Sequence, residues 1–148
     1  METYQALLHT IMTRRDPGNA RAPISAHDWL AQLDLQAQFR RQWADFFRHF
    51  DIVLCPAFGT TAFPHADEPD CRKRSLDIDG EPADFGVQLG SAGIATVANL
   101  PATTVPCGLD TAGLLVGVQA IGPFLEDKTT IAFAGMVGHE IQPPALAL

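Results

Sequence analysis

NLPATTVPCGLDTAGLLVGVQAIGP, residues 99–123, places two β-branched, nearly charge-free runs around a short polar turn. Ala102 to Cys107 and Leu114 to Ile121 have the composition of strands, and the linker GLDTAG is too short for a crossover helix, so an antiparallel pairing is expected. Pro106 has no amide hydrogen to give to a ladder, which favours an edge, a strand end or a bulge at that position. Neither run alternates cleanly with polar residues. Both faces of the sheet are therefore expected to be covered.

Working outward from this hairpin, DIVLCPA supplies a four-residue apolar run, Ile52 to Cys55, stopped by Pro56, which suits a third, buried strand. Residues 56–74 are rich in Pro, Asp, Thr and Gly and form a long surface loop. SLDIDGEPADF follows, with Asp79-Gly80 as a hairpin turn. Loop and hairpin together are placed to overhang a pocket. Upstream, Ser25 and Asp28 form a capping box for a helix whose buried face comprises Leu35, Phe39, Trp43, Phe46 and Phe50. An earlier amphipathic helix is expected over Tyr4, Leu7, Leu8, Ile11 and Met12, ending before the Asp16-Pro17-Gly18 turn. Downstream, Asp127 caps a helix over 128–141 with Ile131, Ala134, Val137 and Ile141 as its stripe. Gly135 and Gly138 each cost that helix about 1 kcal/mol relative to Ala, which close packing against another element would explain. Residues 142–148 form a tail, and no internal repeat divides the chain. Residues 1–148 are thus one α/β unit.

Composition limits what such a unit does. At 148 residues a complete domain buries about 70% of its unfolded surface. The chain is 47% hydrophobic and 18% charged, unlike disordered sequences. Its net charge of −7 provides no footprint for nucleic acid or anionic lipid; the one basic run, Arg72-Lys73-Arg74, is short and reads as a solvated loop. Three widely spaced cysteines, Cys55, Cys71 and Cys107, suit a reducing compartment. The N-terminal stretch lacks the order of a signal peptide, and no apolar run approaches the roughly 20 residues of a membrane span. A cytoplasmic location is expected, with neither nucleic acid nor membrane as a partner.

Candidate chemical groups are few. Ser91, in Gly90-Ser91-Ala92-Gly93, lacks the GxSxG spacing of a nucleophile elbow. Cys55 and Cys107 lie in or beside apolar strands, where a thiol behaves as a small buried hydrophobe; the alternative is a hydrolase that uses one of them as nucleophile. His9, His27, His49, His65 and His139 are scattered singly, so no metal site is expected. Asp77-x-Asp79-Gly80 resembles part of a calcium loop, but Ser75 and Gly86 occupy positions that need acidic ligands. Gly86, Gly90 and Gly93 do not form a phosphate loop, and no cofactor is implied. Lys73 and Lys128 have surface settings.

The order of segments is more informative: FFRHFDIVLCPAF, then TAFPH, DIDGEP, ANLPATTVPCGL, GLLVGVQAIGP and a closing helix after EDKTT. This order resembles the C-terminal portion of amidase signature enzymes over residues 14–141. Leu115 stands where that family commonly has Pro. The resemblance implies part of the amidase signature fold, a mixed β-sheet flanked by helices, incomplete in this chain. It also implies hydrolysis of carboxamides by a serine nucleophile, a second serine and a lysine, all carried in a Gly/Ser-rich segment of the N-terminal half. No such segment exists here, so no residue of this chain inherits a catalytic role. Some relatives grip an amino-acid amide with an aspartate shortly before the "anl" strand; Gly93 falls near that place, so that contact is not transferred.

Two strands that are apolar on both faces, with about three helices to cover them, leave an open sheet edge and an apolar face. The resemblance, with its nucleophile segment lacking, implies the C-terminal part of an amidase acting on a small-molecule amide and silent alone, and the uncovered face makes homo-oligomerisation through exposed sheet or helix surface the expectation. The alternative is a non-catalytic module that dimerises or binds another protein chain through that face. Phe63, Phe85 and Ile94, apolar residues in loops or strand approaches, are the candidates for the substrate-pocket wall.

Overall fold

A computed structural model of the chain describes residues 24–70 and 73–140. The expected helix over Tyr4 to Met12, the Asp16-Pro17-Gly18 turn, His9, Cys71, Arg72, Ile141 and the tail lie outside the described residues.

The first helix, α1, spans Ala26–Phe46. Ser25 caps it as the sequence requires: its hydroxyl accepts from the Asp28 amide at 3.0 Å and donates to the Asp28 carboxylate at 2.8 Å. Phe39 is buried, and Leu35, Trp43 and Phe47 pack beside it. The expected places of Phe46 and Phe50 in the core are corrected. Both rings are exposed and stack on each other, centroids 4.7 Å apart. The inward face continues in steps of four residues from Trp43 to Phe47, and the helix ends at Phe46, so the periodicity no longer governs Phe50.

Strand β1, Val53–Pro56, lies one residue later than expected. Strands β2, Ser75–Ile78, and β3, Glu81–Asp84, form a separate two-stranded sheet. Asp79 and Gly80 join them with φ of 57° and 85°, the pair of positive values that a tight hairpin turn needs. The Asp77 carboxylate accepts from the Gly80 amide at 2.9 Å, so it serves the turn. Two helices follow, α2 over Phe85–Gln88 and α3 over Gly90–Ala98. Asn99 ends α3 in the left-handed region, φ 54°, a conformation asparagine tolerates.

The hairpin that decides the fold is formed by β4, Ala102–Leu109, and β5, Leu115–Ile121. The sheet order is β1-β5-β4, antiparallel throughout, with Val53 and Ala102 both opposite Ile121. Pro106 sits on the edge strand and next to a register shift that ends at Gly108, the two places a missing amide is tolerated. On one face, α1 and α3 build the core: Phe39, Ala95, Ala98 and Leu100 close over Ile121, with Val53 and Cys55 packed at its margin. The last helix, α4, Asp127–Glu140, covers β4 and β5 from elsewhere. Its anchor is Thr130, 1% exposed, whose hydroxyl accepts from Thr103 and donates to the Asp127 carbonyl, both at 2.9 Å. Gly122 makes this approach possible, since a Cβ there would stand 2.6 Å from the Thr130 methyl.

The expectation that the sheet is covered throughout is corrected. It is shielded around Ala120 and Ile121 and open toward the hairpin tip, where Leu109, Leu114 and Leu115 are exposed, as is Leu54 on β1. The stripe of α4 is also looser than expected: Ala134 and Val137 are half-buried, and Ile131 is 60% exposed. Met136 beside it is 63% exposed. Gly135 and Gly138 have no tight neighbour among the described residues either, because a Cβ on either would meet none of their atoms within 4 Å. Trp29, Leu30 and Leu33 extend the bare apolar surface along α1. The sheet and helices of this chain leave several apolar faces with no cover from the described residues.

Candidate aromatic pocket wall

The loop after β1 turns back toward β3 and α2, and three phenylalanines meet there. Phe58 and Phe63 stack with centroids 5.7 Å apart and planes 25° from parallel. Phe85 closes the group at 5.7 Å from Phe58 and meets Phe63 edge to face at 6.0 Å and 79°. Such offset and T-shaped pairs let the positive ring edge meet the negative ring face. Phe58 and Phe85 are half-buried and Phe63 is exposed, so the cluster presents a ring to its surroundings.

Local chemistry fixes each ring. Asp84 caps α2 by accepting from the Gly86 and Val87 amides, which sets Phe85 at the first position of that helix. The Phe85 amide also donates to the Arg74 carbonyl at 3.2 Å. Arg74 holds its guanidinium 5.7 Å from the Phe85 ring centre and donates from Nε to the Glu68 carbonyl at 2.7 Å. Gly59 lets the Gln88 side chain lie across the loop, since a Cβ there would overlap the Gln88 carboxamide. Between the two loop rings, Thr61 donates to the Asp110 carboxylate at 2.9 Å. The other oxygen of Asp110 accepts from the amides of Ala112 at 2.9 Å and Leu114 at 2.8 Å. These bonds, that of Leu114 first, hold the Asp110 carboxyl below its ordinary 3.8; partial desolvation opposes them, and the Thr61 hydroxyl and the Ala112 and Gly113 amides reinforce them.

Of the expected wall residues, Phe63 and Phe85 are brought together. Ile94 is not: it lies in α3 and packs against the core of Phe39, Ala95 and Ile121. Its placement is corrected because residues 90–98 form a helix with its apolar side on the sheet, where a loop or strand approach was expected. Phe58, Thr61 and Asp110 complete the group and were missed in the sequence. The GLDTAG turn announces Asp110 as a turn former, yet nothing local indicates that its second oxygen reaches Thr61, 49 residues away.

The remaining candidates are dispersed. Ser91 lies in the first turn of α3, and its carbonyl accepts from Gln119 Nε2 at 2.7 Å. The same Nε2 stands 3.1 Å from Cys55 Sγ. Cys55 and Cys107 are half-buried, less enclosed than expected, because the sheet is open toward the hairpin tip. Cys107 Sγ donates weakly to the Val105 carbonyl at 3.6 Å. Lys73, Lys128, His27, His49, His65 and His139 are exposed; Lys128 and His139 lie at opposite ends of α4, and His49 and Lys128 line one shallow cavity beside it. Among the described residues, no group of three or more His, Cys, Asp and Glu side chains is placed to hold a metal ion. Nor is any described helix long and apolar enough to cross a membrane.

The sequence profile of the Amidase family matches residues 2–131. The chain belongs to the Amidase family. Its α/β architecture, a sheet flanked by helices, is part of the amidase signature fold. Among the curated amidase relatives, the glutamyl-tRNA(Gln) amidotransferase A subunit of Synechococcus sp. (strain WH7803) is 36% identical over 109 residues, 72% of this chain and 19% of the relative. The proteins of the same name from Agathobacter rectalis and Gluconobacter oxydans are 31% and 30% identical over 110 and 117 residues, 72% and 79% of this chain. The chain spans about a fifth of the length of these amidase relatives, 19% and 21% in the last two cases.

Proposed function

We propose that this chain supplies part of the sheet and the substrate-pocket wall of an amidase, which hydrolyses the C–N bond of a small carboxamide to a carboxylate and ammonia or an amine. The nucleophile and its lysine then belong to amidase sequence that these 148 residues do not include. The observation that carries this reading is the match of the Amidase profile to residues 2–131 of a chain covering only 19% of its relative. The bare apolar surfaces of α1, α4 and the hairpin tip agree with it, as seats for further elements of the fold. The wall consists of Phe58, Phe63 and Phe85; Ile94 serves the core. A cytoplasmic setting suits the chain's three cysteines and a small amide substrate.

Ammonia release from the 148-residue chain with acetamide, propionamide and benzamide tests the absence of a nucleophile. No turnover is expected. Turnover abolished by Ser91→Ala, Lys73→Ala or Lys128→Ala would place catalytic chemistry in this chain and refute the wall-only role. Turnover that survives all three and stops on thiol alkylation would transfer that role to a cysteine.

A second reading follows from the names of the relatives, each of which is one part of an amidotransferase that has more than one protein chain. In it the same exposed faces receive another protein, or a second copy of this chain, without catalysis. Sedimentation velocity with apolar-dye binding tests the exposed faces that both readings use: a stable monomer that binds little dye contradicts both.

A further inference from the structure

We propose that Thr61 and Asp110 form a clasp that positions the aromatic wall, and that Thr61 thereby sets preference for aryl over small aliphatic carboxamides. This rests on the wall assignment made above. Residues 57–70 contain no helix or strand, so the stacking of Phe58 on Phe63 needs tethers from outside the loop. The structure provides Arg74 on the Glu68 carbonyl at the far end and Thr61 on Asp110 between the two rings. Asp110 suits the task because its two oxygens divide the work. One is committed to the Ala112 and Leu114 amides, which lock the hairpin turn and orient the carboxylate. The other then points at the loop from a fixed base, and a hydrogen bond to an ionised acceptor is stronger than a neutral one.

The chemistry of the wall names the ligand class. The ring of Phe63 is exposed while Phe58 and Phe85 hold it from behind, and an exposed aromatic ring complements the quadrupole of another aromatic ring. Acetamide has no ring to place there. Thr61 is a positioning residue, since it acts through Phe58 and Phe63.

The experiment titrates the 148-residue chain with benzamide and with acetamide and follows the ring resonances of Phe58, Phe63 and Phe85 by NMR. Benzamide is expected to shift all three rings, and acetamide to leave them in place. Thr61→Val, which keeps the shape and removes the hydroxyl, is expected to weaken benzamide binding about fivefold. Thr61→Ser is expected to restore it to within about twofold. If the valine variant does not fold, Thr61→Ala against Thr61→Ser gives the same comparison. Benzamide that leaves the rings unmoved, or a valine or alanine variant that binds it like the parent, overturns the proposal. This readout involves no turnover. A chain that hydrolyses amides by itself contradicts the proposed function and leaves the clasp standing; unmoved rings contradict the wall assignment and the clasp with it, whereas rings that move with benzamide equally in the parent and the Thr61→Val variant contradict the clasp alone.

Discussion

Replacing Gly135 and Gly138 of α4 with alanine is expected to stabilise the isolated chain. Neither glycine has a positive φ, and an added Cβ on either meets no atom of the described residues within 4 Å. The substitution therefore brings no clash and no backbone strain. What remains is the difference in helix propensity, about 1 kcal/mol for each site and about 2 kcal/mol for the pair. With a urea m-value of about 2 kcal/mol/M for a chain of this size, the midpoint rises by about 1 M at unchanged m. Equilibrium urea unfolding followed by far-UV circular dichroism measures it. A lower midpoint for the double variant would show that another element packs closely on this side of α4 in solution, and the claim that this helix face is bare would be wrong.

Three further outcomes follow from particular contacts. Thr130→Val removes two buried hydrogen bonds and is expected to cost about 2 kcal/mol, Thr103→Val about 1 kcal/mol, and the double variant about 1 kcal/mol less than their sum; additive costs in urea unfolding would mean that the two hydroxyls are not coupled. Gly122→Ala drives a methyl to 2.6 Å from the Thr130 methyl carbon and 3.7 Å from the Ile52 Cδ1, so a loss of about 1–3 kcal/mol is expected, and neutrality would contradict the tight seating of α4 on β5. Asp110 has its carboxyl lowered in the folded chain from the ordinary 3.8. Its contribution is therefore fully present above pH 3.8 and is lost only as the pH falls through the lower folded value. Amide shifts of Ala112 and Leu114 in an NMR acid titration are expected to move below pH 3.8, and movement centred above it would give the wrong sign.

How much of this was legible in the sequence depended on how local the cause was. Ser25 with Asp28 announced the start of α1, and Asp79-Gly80 the tight hairpin, because caps and turns are settled within a few residues. Pro106 announced an edge or a bulge, and the structure provides both. The segment order within residues 14–141, from FFRHFDIVLCPAF to EDKTT, carried the family. What could not be read were choices made by tertiary contact. Phe46 and Phe47 are both large and aromatic, and only the four-residue step from Trp43 puts the second inward. Ile131 completes an apolar stripe that the described elements do not cover. The aromatic cluster was half visible: Phe63 and Phe85 are apolar residues in segments rich in turn formers, but nothing local announces their meeting with Phe58 or the Thr61–Asp110 bond across 49 positions beside them. Ile94 was misplaced because GSAGIATVA is short and glycine-rich, and its helical state rests on packing against β1 and α1.

The most direct test of the central claim is reconstitution. The amidotransferase relative from Synechococcus sp. (strain WH7803), with the segment matched by this chain deleted, is mixed with the 148-residue chain, and ammonia release from a carboxamide is measured. Neither part alone is expected to hydrolyse the amide, and the mixture is expected to do so at a rate that saturates with added chain. Hydrolysis by the chain alone, or a deleted relative whose activity the chain leaves unchanged, would contradict the role of these residues as the sheet and pocket wall of an amidase.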